Sequence, residues 1–233
     1  FAARIAAASI DTRGQAVLRA QAAVRAGDPW WTIASPDSAG TSGAARCAAF
    51  GLLWAGDPRR AAYEAALSTS VTHGHPVATT AAATFAAAVA LAARGDGPLD
   101  GAWIEAVMEI AAEFEQGAVP GKSVIDRLRV LPALIGQPAE SVLAIVGTGI
   151  IAIEAVPAAL WCAAAHADPV EGVLAAVSAG GDTDTIAAMA GACFGARHGE
   201  AVWPSHLTNL GGLDQVREPV AAQHEPITSA HGP

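Results

Sequence analysis

Between Val77 and Ala93 the chain carries no charge and consists of alanine, threonine, valine, one phenylalanine and one leucine. Such a stretch leaves few options. Alanine is the strongest helix former and a poor strand former, and a helix apolar on every side has to be surrounded by protein or lipid. Its length is only marginal for crossing a bilayer, so it reads as a core helix around which other helices gather. Val142 to Ala165, interrupted by Glu154 and Pro157, reads the same way, and no membrane partner is expected. The whole chain shares the bias: 52% of its 233 residues are apolar but only 5% aromatic, and 15% are charged. Alanine therefore supplies much of the hydrophobicity, and much of the chain must lie between helices.

Caps and breakers divide the sequence into a procession of helices without strand-like alternation. The pattern predicts helices over Ala2 to Ile10, Gln15 to Arg25, Ala44 to Trp54, Pro58 to Ser70, Pro76 to Arg94 and Leu99 to Gln116. Further helices are predicted over Ser123 to Val130, Glu140 to Ile145, Glu154 to Ala165, Val170 to Ser178 and Asp184 to Ala196. The fold class is all-α, a compact single helical domain over residues 1–217, with a loose polar tail at 218–233.

The formal net charge of −9 argues against nucleic acid as a partner. Any anionic ligand would need a local positive site, for instance a metal. Cys47, Cys162 and Cys193 show no paired spacing and read as buried, reduced thiols, in line with a cytoplasmic setting. Phe1 opens inside an amphipathic pattern, with neither an initiator methionine nor a basic region followed by an apolar block. The expectation is a fragment, a processed product or part of something longer.

Four short segments carry candidate chemistry. Gly180-Gly181-Asp182-Thr183-Asp184-Thr185 contains no apolar residue, yet it stands between two apolar, alanine-rich stretches. Two carboxylates and two hydroxyls this close are costly to desolvate without a positive partner. At an extended-to-helix junction, Asp182, Asp184 and Thr185 can converge on one point, and oxygen ligands suit Mg²⁺, Mn²⁺ or Ca²⁺ rather than zinc. Simple helix capping explains one aspartate but not the polar run. The segment from Gly40 to Arg46 is a small-residue loop entering a helix, open to reading as an anion site with Arg46 or as an ordinary flexible connection. His73-Gly74-His75 could bind a transition metal, but no third soft ligand lies nearby, and a turn histidine touching backbone or ligand is the better reading. Gly147-Thr148-Gly149 fits a dinucleotide fingerprint but lacks the alternating strands and helices that fold requires. Its glycines are read as admitting a neighbouring backbone or a ligand ring.

Together these segments resemble the ADP-ribosylglycohydrolases. Gly180 to Ala196, GGDTDTIAAMAGACFGA, is similar to that family's C-terminal metal motif almost letter for letter. Gly147 to Cys162 resembles its preceding pocket helix, and Thr72 to Pro76 its central Thr-His turn. Gly40 to Gly51 is similar to its glycine-rich loop, with Thr41, Ser42 and Ala45 replacing Asn, Gly and Met. The resemblance runs from about Asp11 to Leu213. It implies an all-α fold with two Mg²⁺ or Mn²⁺ ions in a cleft, held in part by Asp182, Asp184 and Thr185. It further implies that Ser42, Gly43 and Ala44 hold a diphosphate with His73 close by, and that Gly149 and Ile150 line the pocket. The implied reaction is hydrolysis of the bond between the anomeric carbon of ADP-ribose and a protein side chain, or of a related ADP-ribosyl or nucleoside-like substrate. The implied partners are accordingly an ADP-ribosylated protein or an ADP-ribose-containing small molecule.

In the family a Thr-Asp-Asp motif with the remaining metal ligands precedes the region where this sequence opens. Two expectations follow: a missing N-terminal fragment that supplies those ligands, or a non-catalytic relative that binds an ADP-ribose-like ligand. Asp11 is the candidate catalytic acid, since some members carry a further acidic residue at its position.

Overall fold

A helix begins where a side chain takes up the orphan amides of its first turn, and this chain supplies such residues repeatedly. The carboxylate of Asp57 accepts the N–H of Arg60 at 3.0 Å just ahead of Pro58. Asp100 does the same for Ala102 and Trp103, Ser123 for Asp126, and Asp168 for Val170. The computed structural model describes residues 14–115 and 122–205. Within them run α1 (Gln15–Ala26), α2 (Ser42–Ala45), α3 (Ala48–Leu53), α4 (Pro58–Ser70), α5 (Pro76–Arg94) and α6 (Gly101–Ala112). After residues 116–121 follow α7 (Val124–Val130), a 3₁₀ turn (Pro132–Leu134), α8 (Ala139–Val146), α9 (Ala152–Ala165), α10 (Pro169–Val177) and α11 (Thr183–His198). Among the described residues there is no strand, only isolated bridges pairing Ser35 with His73 and Gly40 with Ile151. The protein is all-α.

Helix α5 is the hub. It packs against α2, α3, α4, α6, α7, α9 and α11. Alanine makes this possible: Ala78, Ala81, Ala82, Ala83, Ala86, Ala87, Ala88 and Ala90 have no exposed surface, and short side chains let many axes come close. Its buried threonines are satisfied locally. Thr84 donates to the carbonyl of Thr80 at 2.8 Å, and Thr80 to that of Phe114 at 3.2 Å. Among the described residues α5 is the one helix long and apolar enough to cross a membrane, and here it is mostly buried by protein.

The structure differs from the sequence expectations in two described places. The helix expected over Ala44 to Trp54 is two short pieces, α2 and α3, so Cys47 lies at the joint between them. The helix expected over Leu99 to Gln116 is shorter, because Asp100 caps it and it closes at Ala112. Cys47, Cys162 and Cys193 are all free and buried. Burial pushes the thiols of Cys162 and Cys193 up to about 12 and that of Cys47 to about 11. The expected helix over Ala2 to Ile10, the candidate acid Asp11 and the boundary at residue 217 lie outside the described residues. The main compact unit reaches to Gly199; a separate unit begins at Glu200 with a 3₁₀ turn over Glu200–Val202.

Candidate functional site

Three loops far apart in sequence meet at the start of α11. The loop before α2 lies along the turn before α9: Thr41 N–H donates to the carbonyl of Ile150 at 3.1 Å, and Ala152 N–H to that of Ala39 at 2.8 Å. The turn before α9 in turn receives the loop before α11, where Asp182 N–H donates to the carbonyl of Thr148 at 2.7 Å. This last approach demands glycine at position 181, which has φ +72°. A Cβ there would lie 2.1 Å from the Thr148 oxygen.

Backbone pairing of this kind delivers side chains. Thr41 Oγ1 donates to Asp182 Oδ2 at 2.8 Å, and Thr185 Oγ1 donates to Asp182 Oδ1 at 2.8 Å. Asp182 occupies the N-cap position of α11 but makes no cap bond with its side chain. The capping role expected there is therefore replaced by a carboxylate clamped between two hydroxyls. Asp184 is exposed on the first turn, where its Oδ1 accepts the N–H of Thr185 at 2.9 Å. Glu154, on the first turn of α9, accepts the N–H of Gly149 at 2.8 Å and so fixes the turn that carries Thr148 and Ile150.

A second set of polar groups lies behind the Gly40 loop. Ser42 Oγ is 3.0 Å from His73 Nε2, and His73 Nδ1 is 2.7 Å from Thr72 Oγ1. Arg46 donates to Thr72 Oγ1 and to the Ser68 carbonyl, each at 2.9 Å. His73 is only 2% exposed; burial first, and the Arg46 charge second, push its pKa down to about 4, so the imidazole is neutral. The bonds Ser35 N–H to Thr72 O and Gly74 N–H to Ser35 O hold this turn against the preceding loop. That loop borders a cavity of about 580 Å³ whose lining includes Gln15, Arg19, Ser35 and Ser38.

Of the residues singled out in the sequence, the structure brings Asp182 and Thr185 into direct contact, with Asp184 beside them. Ser42 and His73 are bonded to each other, while Gly43 and Ala44 are buried, Gly43 against Thr69 and His73. Gly149 is pinned by Glu154, and Ile150 is 72% exposed but has its carbonyl engaged with Thr41. His75 does not pair with His73 for a metal; its Nδ1 accepts the N–H of Val77 and caps α5. Sequence reasoning passed over Thr41 as an acceptor-binding group and over Glu154 and Thr148 as the turn's fasteners. The one available signal was Glu154 on the first helical turn, placed to accept amides of the glycine-containing loop ahead of it.

Among the described residues no three of His, Cys, Asp and Glu cluster as a self-sufficient metal site. The donor set around Asp182 is a carboxylate and two hydroxyls, and the exposed Asp184 carboxylate on the same helical turn accepts the Thr185 amide. All are hard oxygens, and a threonine oxygen that donates its hydrogen keeps lone pairs for a cation. The set fits Mg²⁺ or Mn²⁺, completed by water or further ligands, and does not fit zinc.

Comparison with known proteins identifies the family. The family model for ADP-ribosylglycohydrolase matches residues 2–228. The ADP-ribosylhydrolase ARH3 of Bos taurus is 31% identical over 180 residues, which cover 65% of this chain and 48% of that protein. ARH3 of Gallus gallus is 29% identical over 216 residues, covering 81% and 58% respectively. An uncharacterized protein of Escherichia coli strain K12, YegU, is 31% identical over 163 residues, covering 66% and 48%. The chain thus spans about half the length of the curated relatives it matches. Since the family model extends over nearly the whole sequence, and the helical fold is the one expected of it, this chain belongs to the ADP-ribosylglycohydrolase family.

Proposed function

We propose that the chain hydrolyses the glycosidic bond joining the anomeric carbon of ADP-ribose to a protein side chain, or to a related small acceptor, in a metal-dependent reaction. The observation that carries this reading is the clamped Asp182: three loops converge to hold one carboxylate between Thr41 and Thr185, with Asp184 beside it. Bound at these oxygens, Mg²⁺ or Mn²⁺, two ions by the family resemblance, supplies positive charge for ribose hydroxyls and acidifies water. The chain's own residues do the positioning. Thr41 and Thr185 fix both Asp182 oxygens, so the carboxylate is preorganised. Glu154 holds the Gly149 amide and keeps the Thr148–Ile150 turn against the other two loops. The Gly40 loop, with Ser42 half-buried at its end, offers the site for the diphosphate, and Asp11 is the proposed acid.

The relatives named ADP-ribosylhydrolase support the substrate class. Release of ADP-ribose from an ADP-ribosylated peptide, followed with Mn²⁺, with Mg²⁺ and with chelator, tests the reading. Asp184→Ala should reduce metal-dependent release at least ~100-fold, equivalent to about 2.7 kcal/mol of barrier. Full activity in that variant would remove Asp184 from the metal site. Tight binding of ADP-ribose without any turnover would favour a non-catalytic ligand-binding protein.

A further inference from the structure

We propose that Glu154 sets the cation affinity of the Asp182 site from outside it, as a positioning residue that acts by accepting one backbone N–H and not by its charge, a role that rests on reading Asp182 as a metal carboxylate. The glycines of the Gly147–Gly149 turn leave room for something, and the structure fills that room with Glu154. A Cβ on Gly147 would lie 2.7 Å from Glu154 Cδ, and one on Gly149 would lie 2.7 Å from Glu154 Oε2. Gly147 needs glycine for its backbone as well, with φ +87°. Gly149 is outside the left-handed region, and the atoms its Cβ would meet are those of the Glu154 carboxylate. At position 149 the bare backbone therefore serves a side chain of this protein and not a ligand ring.

Capping is the ordinary work of a glutamate on a first helical turn, and the usual bond returns to the N–H of the cap residue, here Ile151. Glu154 reaches past Ile151 to the Gly149 N–H at 2.8 Å. Gly149 stands between the two carbonyls that receive the other loops. The Thr148 carbonyl accepts the Asp182 N–H at 2.7 Å, and the Ile150 carbonyl accepts the Thr41 N–H at 3.1 Å. Fixing the amide between them fixes their spacing. Asp182 and Thr41 are in turn the two residues that meet side chain to side chain at 2.8 Å. The bond from Glu154 is charge-assisted and so among the stronger in the cluster. Among the described residues no three of His, Cys, Asp and Glu group together, so Glu154 is not a third carboxylate ligand beside Asp182 and Asp184. It acts on the ion through the backbone.

Two measurements test this, the first without metal. Amide hydrogen exchange in chelator reads the N–H groups of Asp182 and Thr41 directly. Glu154→Ala should speed both at least ~10-fold, and Glu154→Gln, whose amide oxygen accepts the same N–H, should keep them protected. Titration with Mn²⁺ alone, followed by electron paramagnetic resonance, is the second. Glu154→Ala should weaken binding about tenfold, the equivalent of ~1.4 kcal/mol, and Glu154→Gln less than about threefold. Gly149→Ala, which pushes the carboxylate out of the turn, should reproduce the Glu154→Ala loss by itself and add little to it in the double variant. A lower melting temperature in Glu154→Ala with exchange and Mn²⁺ binding unchanged would reduce Glu154 to a helix cap and overturn the inference. Equal losses in the Gln and Ala variants overturn it by making charge the cause, and a full additional loss from Gly149→Ala in the double variant overturns the assignment of that glycine. If the unsubstituted protein takes no Mn²⁺, the metal reading falls and the affinity claim with it, while exchange at Asp182 and Thr41 still decides whether Glu154 holds the turn.

Discussion

At His73 burial and charge act in the same direction. The ring is 2% exposed and faces the uncharged hydroxyls of Ser42 and Thr72, with the Arg46 guanidinium one residue further back. Its pKa is lowered from 6.5 to about 4, so between those values the unfolded chain binds a proton that the folded chain refuses. Stability therefore rises with pH across that window and is fully present above the unfolded value. A shift of this size corresponds to roughly 3 kcal/mol lost as pH falls from 6.5 toward 4. Denaturant unfolding at pH 7 and pH 4.5 should show the loss, and His73→Gln should flatten it; an unchanged pH dependence in that variant would assign the effect elsewhere. The sequence singled out His73 as a turn histidine, and it is one. Its pairing with Ser42, however, spans 31 positions and could not be read from spacing.

At the scale of elements, close helix approach is set by residues with no side chain to spare. Gly51 on α3 faces α5, where an added Cβ would lie 2.6 Å from Val89 Cβ and 2.7 Å from the Ala86 carbonyl oxygen. Alanine at an exposed helical position gains about 1 kcal/mol over glycine. Here overpacking against backbone opposes that gain and costs roughly 1–3 kcal/mol. Gly51→Ala should therefore lower the melting temperature by several degrees, at about 2–4 °C per kcal/mol, and a rise instead would show that α3 can move off α5. Helix starts were the most legible part of the fold. Asp57 caps the helix expected from Pro58, and Ser123 and Asp168 cap helices expected within two residues of their observed starts, because capping is decided by neighbours in sequence; Asp100, the cap of a helix expected from Leu99, was missed. The break at Cys47 was not legible, since alanine and leucine on both sides favour one continuous helix. Packing of α2 and α3 around α5 divides it.

For the whole molecule, the candidate centre ties the beginning, middle and end of the helical unit together. The Gly40 loop, the Gly147 turn and the start of α11 are joined through Thr41, Thr148 and Asp182. A cation that binds only this assembled arrangement stabilises the folded state by linkage, by about 2.7 kcal/mol at 100 times its dissociation constant. Mn²⁺ added after chelation should raise the melting temperature, and the rise should shrink in Asp182→Asn. A melting curve indifferent to Mn²⁺ and Mg²⁺ would count against the proposed metal centre in this chain. The three thiols, buried and raised in pKa, should resist thiol reagents until global unfolding.

The all-α class followed from alanine and from caps, both properties of short stretches, so the sequence was sufficient for them. The Asp-Thr-Asp-Thr run also marked itself, because four polar residues between apolar helices need a partner. What held Asp182 was decided only by the fold. Thr41 stands 141 positions away, and it reaches the carboxylate because two backbone pairings, each between loops without regular structure, set the distance. Such pairings leave no periodicity in the sequence.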